Sequence, residues 1–239
     1  MVYTDGEKVD FQLEYPFRFL ISGSSQTGKS YFIEKLLKQN LCKNIRKIYY
    51  FGENKHSKYN SYIGLPRDTD FPRHSCIIID NLFEKAIDSR AVQKLFKYSA
   101  EAKLSIFLTT QNISAQGKYS NSIQNNCNYL VLFSNTTRLL NRQLAHDRGL
   151  EIPYKSAFDF VKNRPHSTII FNQSQQSLPD LKLFTYISDR KVEAFADNGK
   201  LFYLFTKREL EKYCDITDID SNHFCAINNE DPENGAESA

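Results

Sequence analysis

Over the first 150 or so residues, short apolar runs alternate with segments of helical spacing. Residues 17–22 (FRFLIS) read as a buried strand, and the segment 30–39 places Phe32, Ile33, Leu36 and Leu37 on one helical face. Further strands are predicted at 48–51, 76–79 (CIII), 104–109 (LSIFLT) and 129–133 (YLVLF), with helices at 92–101 and 138–147. Strands that are apolar throughout, rather than alternating, are buried on both faces. The pattern therefore predicts an α/β fold, a mainly parallel sheet with helices on both faces.

Beyond Pro153 a helix at 154–162 leads to strands at 168–171 and 183–186 that extend the sheet edge. Near Lys191 the periodicity weakens. A strand at 201–205 and a helix at 207–213 suggest a small C-terminal appendage over 190–227, after a main domain of residues 1–189. Residues 228–239 (NNEDPENGAESA) have the composition of a disordered acidic tail. Between Gln111 and Cys127 lie 15 residues dominated by Ser, Asn, Gln and Gly. A loop of that length directly after a strand belongs to the edge where α/β sheets bind ligands.

Composition adds limits. With 41% hydrophobic and 25% charged residues the chain has the make-up of a globular protein. The net charge is only +3, but the last dozen residues carry four acids and no base, so the remainder carries about +7. That balance suits a polyanionic partner without requiring one. Five cysteines, an odd number with no C-x-x-C pair, fit a reducing compartment, with Cys76 and Cys127 as buried small hydrophobes. The polar N-terminus lacks a signal-peptide core, and no run of about 18 apolar residues exists to span a membrane. An intracellular, soluble protein is expected.

The strongest chemical signal is Gly23-Ser24-Ser25-Gln26-Thr27-Gly28-Lys29-Ser30, a complete G-x-x-x-x-G-K-[ST] pattern between a strand and an amphipathic helix. Wrapping backbone N–H groups around phosphate oxygens demands glycine where the chain turns, and the following helix points its positive end at the same anion. Lys29 would reach the β- and γ-phosphates of ATP and Ser30 would ligate Mg²⁺, and Tyr31, next in the chain, is counted with Gly23–Ser30 among the nucleotide-binding residues.

Ile77-Ile78-Ile79-Asp80 is an apolar strand ending in an acid, the form of a Walker B motif, with Asp80 expected at the Mg²⁺ site beside Ser30. Many ATPases follow this residue with a second acid that takes a proton from the attacking water. Here Asn81 can orient water but cannot accept its proton, and the nearest carboxylate is Glu84, either a base or a helix-end charge. At the tip of the next strand, Gln111 can touch a γ-phosphate and lytic water. The catalytic candidates are thus Lys29, Asp80, Asn81, Glu84 and Gln111. The lone histidines His146 and His166 receive no role.

The ordered set Pro16–Ser30 (PFRFLISGSSQTGKS), Ile77–Phe83 (IIIDNLF), Leu104–Asn112 (LSIFLTTQN) and Cys127–Phe133 (CNYLVLF) resembles the genome-packaging ATPases of the FtsK/HerA superfamily. It is similar in particular to those of Polinton/Maverick elements, adintovirus-like viruses, virophages and large nucleocytoplasmic DNA viruses. The resemblance covers roughly residues 12–187, including RQLA from Arg142 and the late segment SLPDLKL from Ser177. It implies a RecA/FtsK-HerA-like P-loop NTPase. Such a protein is a homo-oligomeric ring, pentameric or hexameric, driving double-stranded DNA without sequence preference into a capsid or procapsid. The host nucleus, a cytoplasmic virus factory or the virion would be its place.

In that pattern Lys29 and Ser30 bind nucleotide and metal, Asp80 is the Walker B acid and Gln111 the sensor. A ring implies an arginine finger from a neighbouring subunit, with Arg138, Arg142 and Arg148 as candidates. Lys118, in the long loop, is the candidate DNA contact. Two departures stand out: Asn81 replaces the family's second Asp, and Ala100-Glu101-Ala102-Lys103 replaces a His-His-Arg-like stretch. Two other readings stand on the same residues, a P-loop kinase of a small molecule and a non-catalytic nucleotide-binding assembly protein.

Overall fold

The computed structural model describes residues 13–38, 44–133, 145–162, 166–174, 182–186, 192–195 and 201–204. Within them one sheet of ten strands runs in the order β10-β9-β8-β7-β6-β1-β5-β4-β2-β3. Its parallel part comprises β1 (Arg18–Ser22), β2 (Lys47–Gly52), β3 (Asn60–Ile63), β4 (Ser75–Ile79), β5 (Ser105–Thr110) and β6 (Tyr129–Phe133). An antiparallel extension follows from β6: β7 (Thr168–Asn172), β8 (Leu183–Tyr186), β9 (Val192–Phe195) and β10 (Leu201–Leu204). Strands β9 and β10 thus continue the same sheet past residue 190.

Alternate strand residues feed two separate cores. Leu20, Ile77, Ile79, Ile106, Leu108, Leu130 and Leu132 pack on one face with α2 (Phe83–Ala86), α3 (Arg90–Ala102) and α5 (Glu151–Val161). Phe19, Ile21, Ile78, Phe107 and Val131 pack on the other with Phe32, Ile33 and Leu36 of α1 (Lys29–Lys38). Every residue of β4, β5 and β6 is buried. That burial explains why these strands read as unbroken apolar runs. Phe19 is the centre of an aromatic stack, with ring centroids 4.6 Å from Tyr129 and 5.1 Å from Phe107.

Helix boundaries follow local chemistry. The Ser89 side chain caps α3 by accepting from the Val92 N–H at 3.3 Å, and Lys103 closes it in a left-handed turn at φ 53°. Helix α5 takes Pro153 in its first turn, where a missing N–H breaks no bond.

The stretch between Gln111 and Cys127, expected as an irregular loop, contains the short helix α4 (Ser120–Asn125), held by buried Ser120 and Ile123. Its approach is pinned to the α2–α3 corner, where the Tyr119 N–H donates to the Ile87 carbonyl at 2.7 Å and the Lys118 N–H to Asp88 at 2.8 Å. Cys76 and Cys127 are buried free thiols, and burial pushes the Cys127 thiol up to about 12. No helix among the described residues is long and apolar enough to cross a membrane.

Candidate nucleotide-binding site

Because β1, β4 and β5 are parallel neighbours, their carboxyl ends reach the same sheet edge: Ser22 lies level with Thr110, and Ile79 with Leu108. The turn after β1, the acid after β4 and the amide after β5 therefore converge. This is the edge at which open α/β sheets bind ligands.

The turn after β1 is tied down at its start, where the Gly23 N–H donates to the Thr110 carbonyl at 3.1 Å. A Cβ at Gly23 would lie 2.6 Å from Thr27 Oγ1, so only glycine fits. Gly28 has φ 105°, a conformation that also selects glycine. Ser24, Ser25 and Gln26 are exposed on the crest, with Gln26 left-handed at φ 62°. The Thr27 hydroxyl donates back to the Ser24 carbonyl at 2.9 Å. Helix α1 begins directly after this turn and carries no acid in its first turn, which leaves its N–H groups for an external anion.

Lys29 is only 9% exposed, and its ammonium donates to the Gly23 carbonyl at 2.6 Å and the Ser24 carbonyl at 2.8 Å. The lysine thus fills the cradle of its own loop. Burial pulls its pKa below the ordinary lysine value, while the Asp80 charge opposes that shift.

Asp80 is the hub. Oδ2 accepts from the Ser30 hydroxyl at 3.1 Å and from the Tyr50 hydroxyl at 2.9 Å, and Oδ1 accepts from the Thr109 hydroxyl at 2.6 Å. Burial and then the Asp80 charge push the Tyr50 phenol well above its usual range, which keeps it a donor. Ser30 and Asp80 are adjacent hard oxygens. The described residues hold no group of three or more His, Cys, Asp or Glu that could cage a metal alone. That donor set fits a divalent cation that keeps most of its water and takes phosphate oxygens for the rest.

The Asn81 N–H donates to Thr109 Oγ1 at 2.8 Å, and its φ of 57° is a left-handed value that asparagine tolerates. Its side-chain oxygen accepts from Gln111 Nε2 at 3.1 Å. A relay of polar contacts therefore runs from Ser30 through Asp80, Thr109 and Asn81 to Gln111, at the mouth of the Asn-rich segment.

The remaining candidates lie elsewhere. Glu84 is exposed in the first turn of α2, and no described hydrogen bond joins it to Asp80, Asn81 or Gln111. Lys118 is exposed, its ammonium 5.4 Å from the Tyr119 ring centre. Arg148 donates to Gln173 Oε1 at 2.9 Å and lies 5.8 Å over Phe171. Phe171 pairs with Leu130, near the amino end of β6, so this arginine is held toward the sheet edge opposite the phosphate loop. Arg138 and Arg142 lie outside the described residues.

Two participants escaped the sequence reading. Tyr50 and Thr109 both hold Asp80, and only Thr109, two residues before Gln111 in an already suspect strand, left any signal.

No protein-family model matches the chain, and no curated protein matches it in sequence. In three dimensions it is similar to the genome packaging NTPase B204 from Sulfolobus turreted icosahedral virus 2 in complex with sulfate. The TM-score is 0.51 at 14% identity, over 73% of this chain and 98% of B204. The B204 DNA-packaging ATPase from Sulfolobus Turreted Icosahedral Virus aligns with a TM-score of 0.49 and 11% identity, over 73% and 98% of the two chains. The N-terminal domain of zonular occludens toxin from Neisseria meningitidis scores 0.39 at 14% identity, over 50% and 77%. The first of these likenesses bears on architecture, and it agrees with the site: the fold is that of a P-loop NTPase.

Proposed function

We propose that this chain hydrolyses ATP with Mg²⁺ and uses the energy to move double-stranded DNA into a viral or virus-like capsid. The observation that carries the catalytic part is the continuous contact chain Ser30–Asp80–Thr109 and Asn81–Gln111. Lys29 would exchange its two loop carbonyls for phosphate oxygens, a stronger charge-assisted pairing. Ser30 and Asp80 would hold Mg²⁺, which neutralises charge on the phosphates when bound. Gln111 and Asn81 would orient water at the γ-phosphate. Loss of that phosphate would free Gln111 and be felt in the segment that carries Lys118.

The packaging part rests on the ordered motif set, on a fold like that of a named genome packaging NTPase, and on the basic charge outside the acidic tail. A homo-oligomeric ring stacking its Lys118 segments along a duplex would meet phosphates without reading sequence. Capsid or procapsid protein is the expected partner.

One observation favours a second reading. Asn81 stands where a proton acceptor is expected, and Glu84 is not joined to it, as suits a nucleotide-binding assembly protein without turnover. ATP hydrolysis measured with and without long duplex DNA, at low and moderate salt, separates the two. Turnover stimulated by duplex and weakened by salt supports the motor. Turnover indifferent to DNA removes the translocase, and none at all supports the assembly protein.

A further inference from the structure

Phosphates are half of a nucleotide, and the site described so far accounts only for them. Asp80 follows β4, on the β5 side of β1, so a γ-phosphate and its cation held by Ser30 and Asp80 would lie there. The α-phosphate end, and the nucleoside beyond it, must then emerge on the other side of β1, toward β6 and β7.

Two aromatic side chains meet there. Tyr31, in the first turn of α1, keeps 49% of its surface exposed although it directly follows the phosphate loop. His166, just before β7, lies with its ring centre 6.1 Å from that of Tyr31, the planes inclined at 50°. The histidine is not a loose surface group. Its Nδ1 lies 3.1 Å from the Thr27 carbonyl, and a Cβ on Gly28 would come within 2.8 Å of the same nitrogen. Its backbone has φ 57°, uncommon for a residue with a side chain. Next to it, the Ser167 hydroxyl donates to the Val161 carbonyl at 3.0 Å, tying this turn to the end of α5. A carbonyl only accepts, so Nδ1 is the donor in this contact and Nε2 is the ring nitrogen left for a ligand. On the other flank, the Lys35 ammonium lies 5.3 Å from the Tyr31 ring centre.

We infer that Tyr31 and His166 form the nucleoside side of the site. Tyr31 is the stacking surface for the planar base, and His166 locks the loop while offering Nε2 to a ribose hydroxyl or an exocyclic amine. The inference rests on the nucleotide-binding reading above and extends it from phosphate to nucleoside. A ring exposed on the rim of a polar loop has no core to support, whereas a base would cover it.

The test compares Mg²⁺-ATP with Mg²⁺-tripolyphosphate, the same anion without a nucleoside, by calorimetric titration of the full chain. Tyr31→Ala weakens ATP about tenfold, within the range of a lost base–aromatic stack, and leaves tripolyphosphate unchanged. His166→Ala, which also releases the Thr27 carbonyl of the loop, weakens ATP more than tripolyphosphate, and Tyr31→Phe keeps ATP binding because the stacking face is kept. Equal loss for both ligands, or undiminished ATP binding by Tyr31→Ala, overturns the nucleoside role while leaving the phosphate site intact. Wild-type protein that binds neither ligand removes the phosphate site itself. Thermal melting of each variant shows that the comparison is between folded proteins.

Discussion

The Tyr50 hydroxyl donates to Asp80 Oδ2 at 2.9 Å, on the same oxygen that accepts from Ser30 at 3.1 Å. Tyr50 comes from β2, the neighbour of β4, so the strand order itself delivers a second-layer partner to the acid. Such partners orient a metal-binding carboxylate, and their loss costs about tenfold or more in metal affinity. Tyr50→Phe is therefore expected to raise the Mg²⁺ concentration that half-saturates nucleotide binding by about tenfold. Nucleotide affinity at saturating Mg²⁺ should change little. A Mg²⁺ titration of nucleotide binding checks both.

Gly52 offers an independent route to the same effect. A Cβ there would lie 2.7 Å from the Tyr50 ring, so the glycine makes room for the ring to lie along the strand toward Asp80. Gly52→Ala should displace the ring and copy the Mg²⁺ shift of Tyr50→Phe. The double variant should be no worse than either single one, since both remove one contact.

What the sequence disclosed, and what it withheld, follows from how local each feature is. The phosphate loop was readable because glycines, lysine and serine are contiguous and a strand and amphipathic helix flank them. Asp80 was readable because β4 is buried on both faces and its apolar run stops at one acid. Strand β3 (NSYI) was not, because it is an edge strand with only Ser61 even partly covered, and it leaves no apolar run. The helix α4 hid in a segment of weak helix formers, where burial of Ser120 and Ile123 overrides propensity. Tyr50 and His166 were invisible for a common reason. Each reaches the site only through the order of strands in the sheet, which no local pattern encodes.

Gln111 donates to Asn81, and no described hydrogen bond joins it to the phosphate loop. Gln111→Ala should accordingly leave ATP affinity within about twofold, as for a contact made mainly in the transition state, and lower turnover about a hundredfold. Steady-state kinetics beside equilibrium titration would show the split, and equal losses in both would place Gln111 in ground-state binding instead.

The lowered pKa of Lys29 has a consequence for pH. In the free protein the ammonium is less favoured than in an ordinary lysine, whose value is 10.5. Phosphate binds the charged form, so affinity should be flat at neutral pH and fall as pH rises through Lys29's lowered value, before 10.5 is reached. The free fold carries the opposite sign from this group: it binds fewer protons than the unfolded chain in that window and gains stability as pH rises. Titrating ATP binding between neutral and alkaline pH reads the break directly, and a flat profile through that window would remove the shift.

The most direct measurement is the affinity of Mg²⁺-ATP for the wild-type chain and for Lys29→Ala, with circular dichroism to show that both are folded. Lys29 is expected to supply charge-assisted bonds to two phosphates, so its removal should weaken binding about a hundredfold or more. Undiminished binding by folded Lys29→Ala would contradict a nucleotide site in the loop between Gly23 and Ser30, and with it the enzyme proposed here.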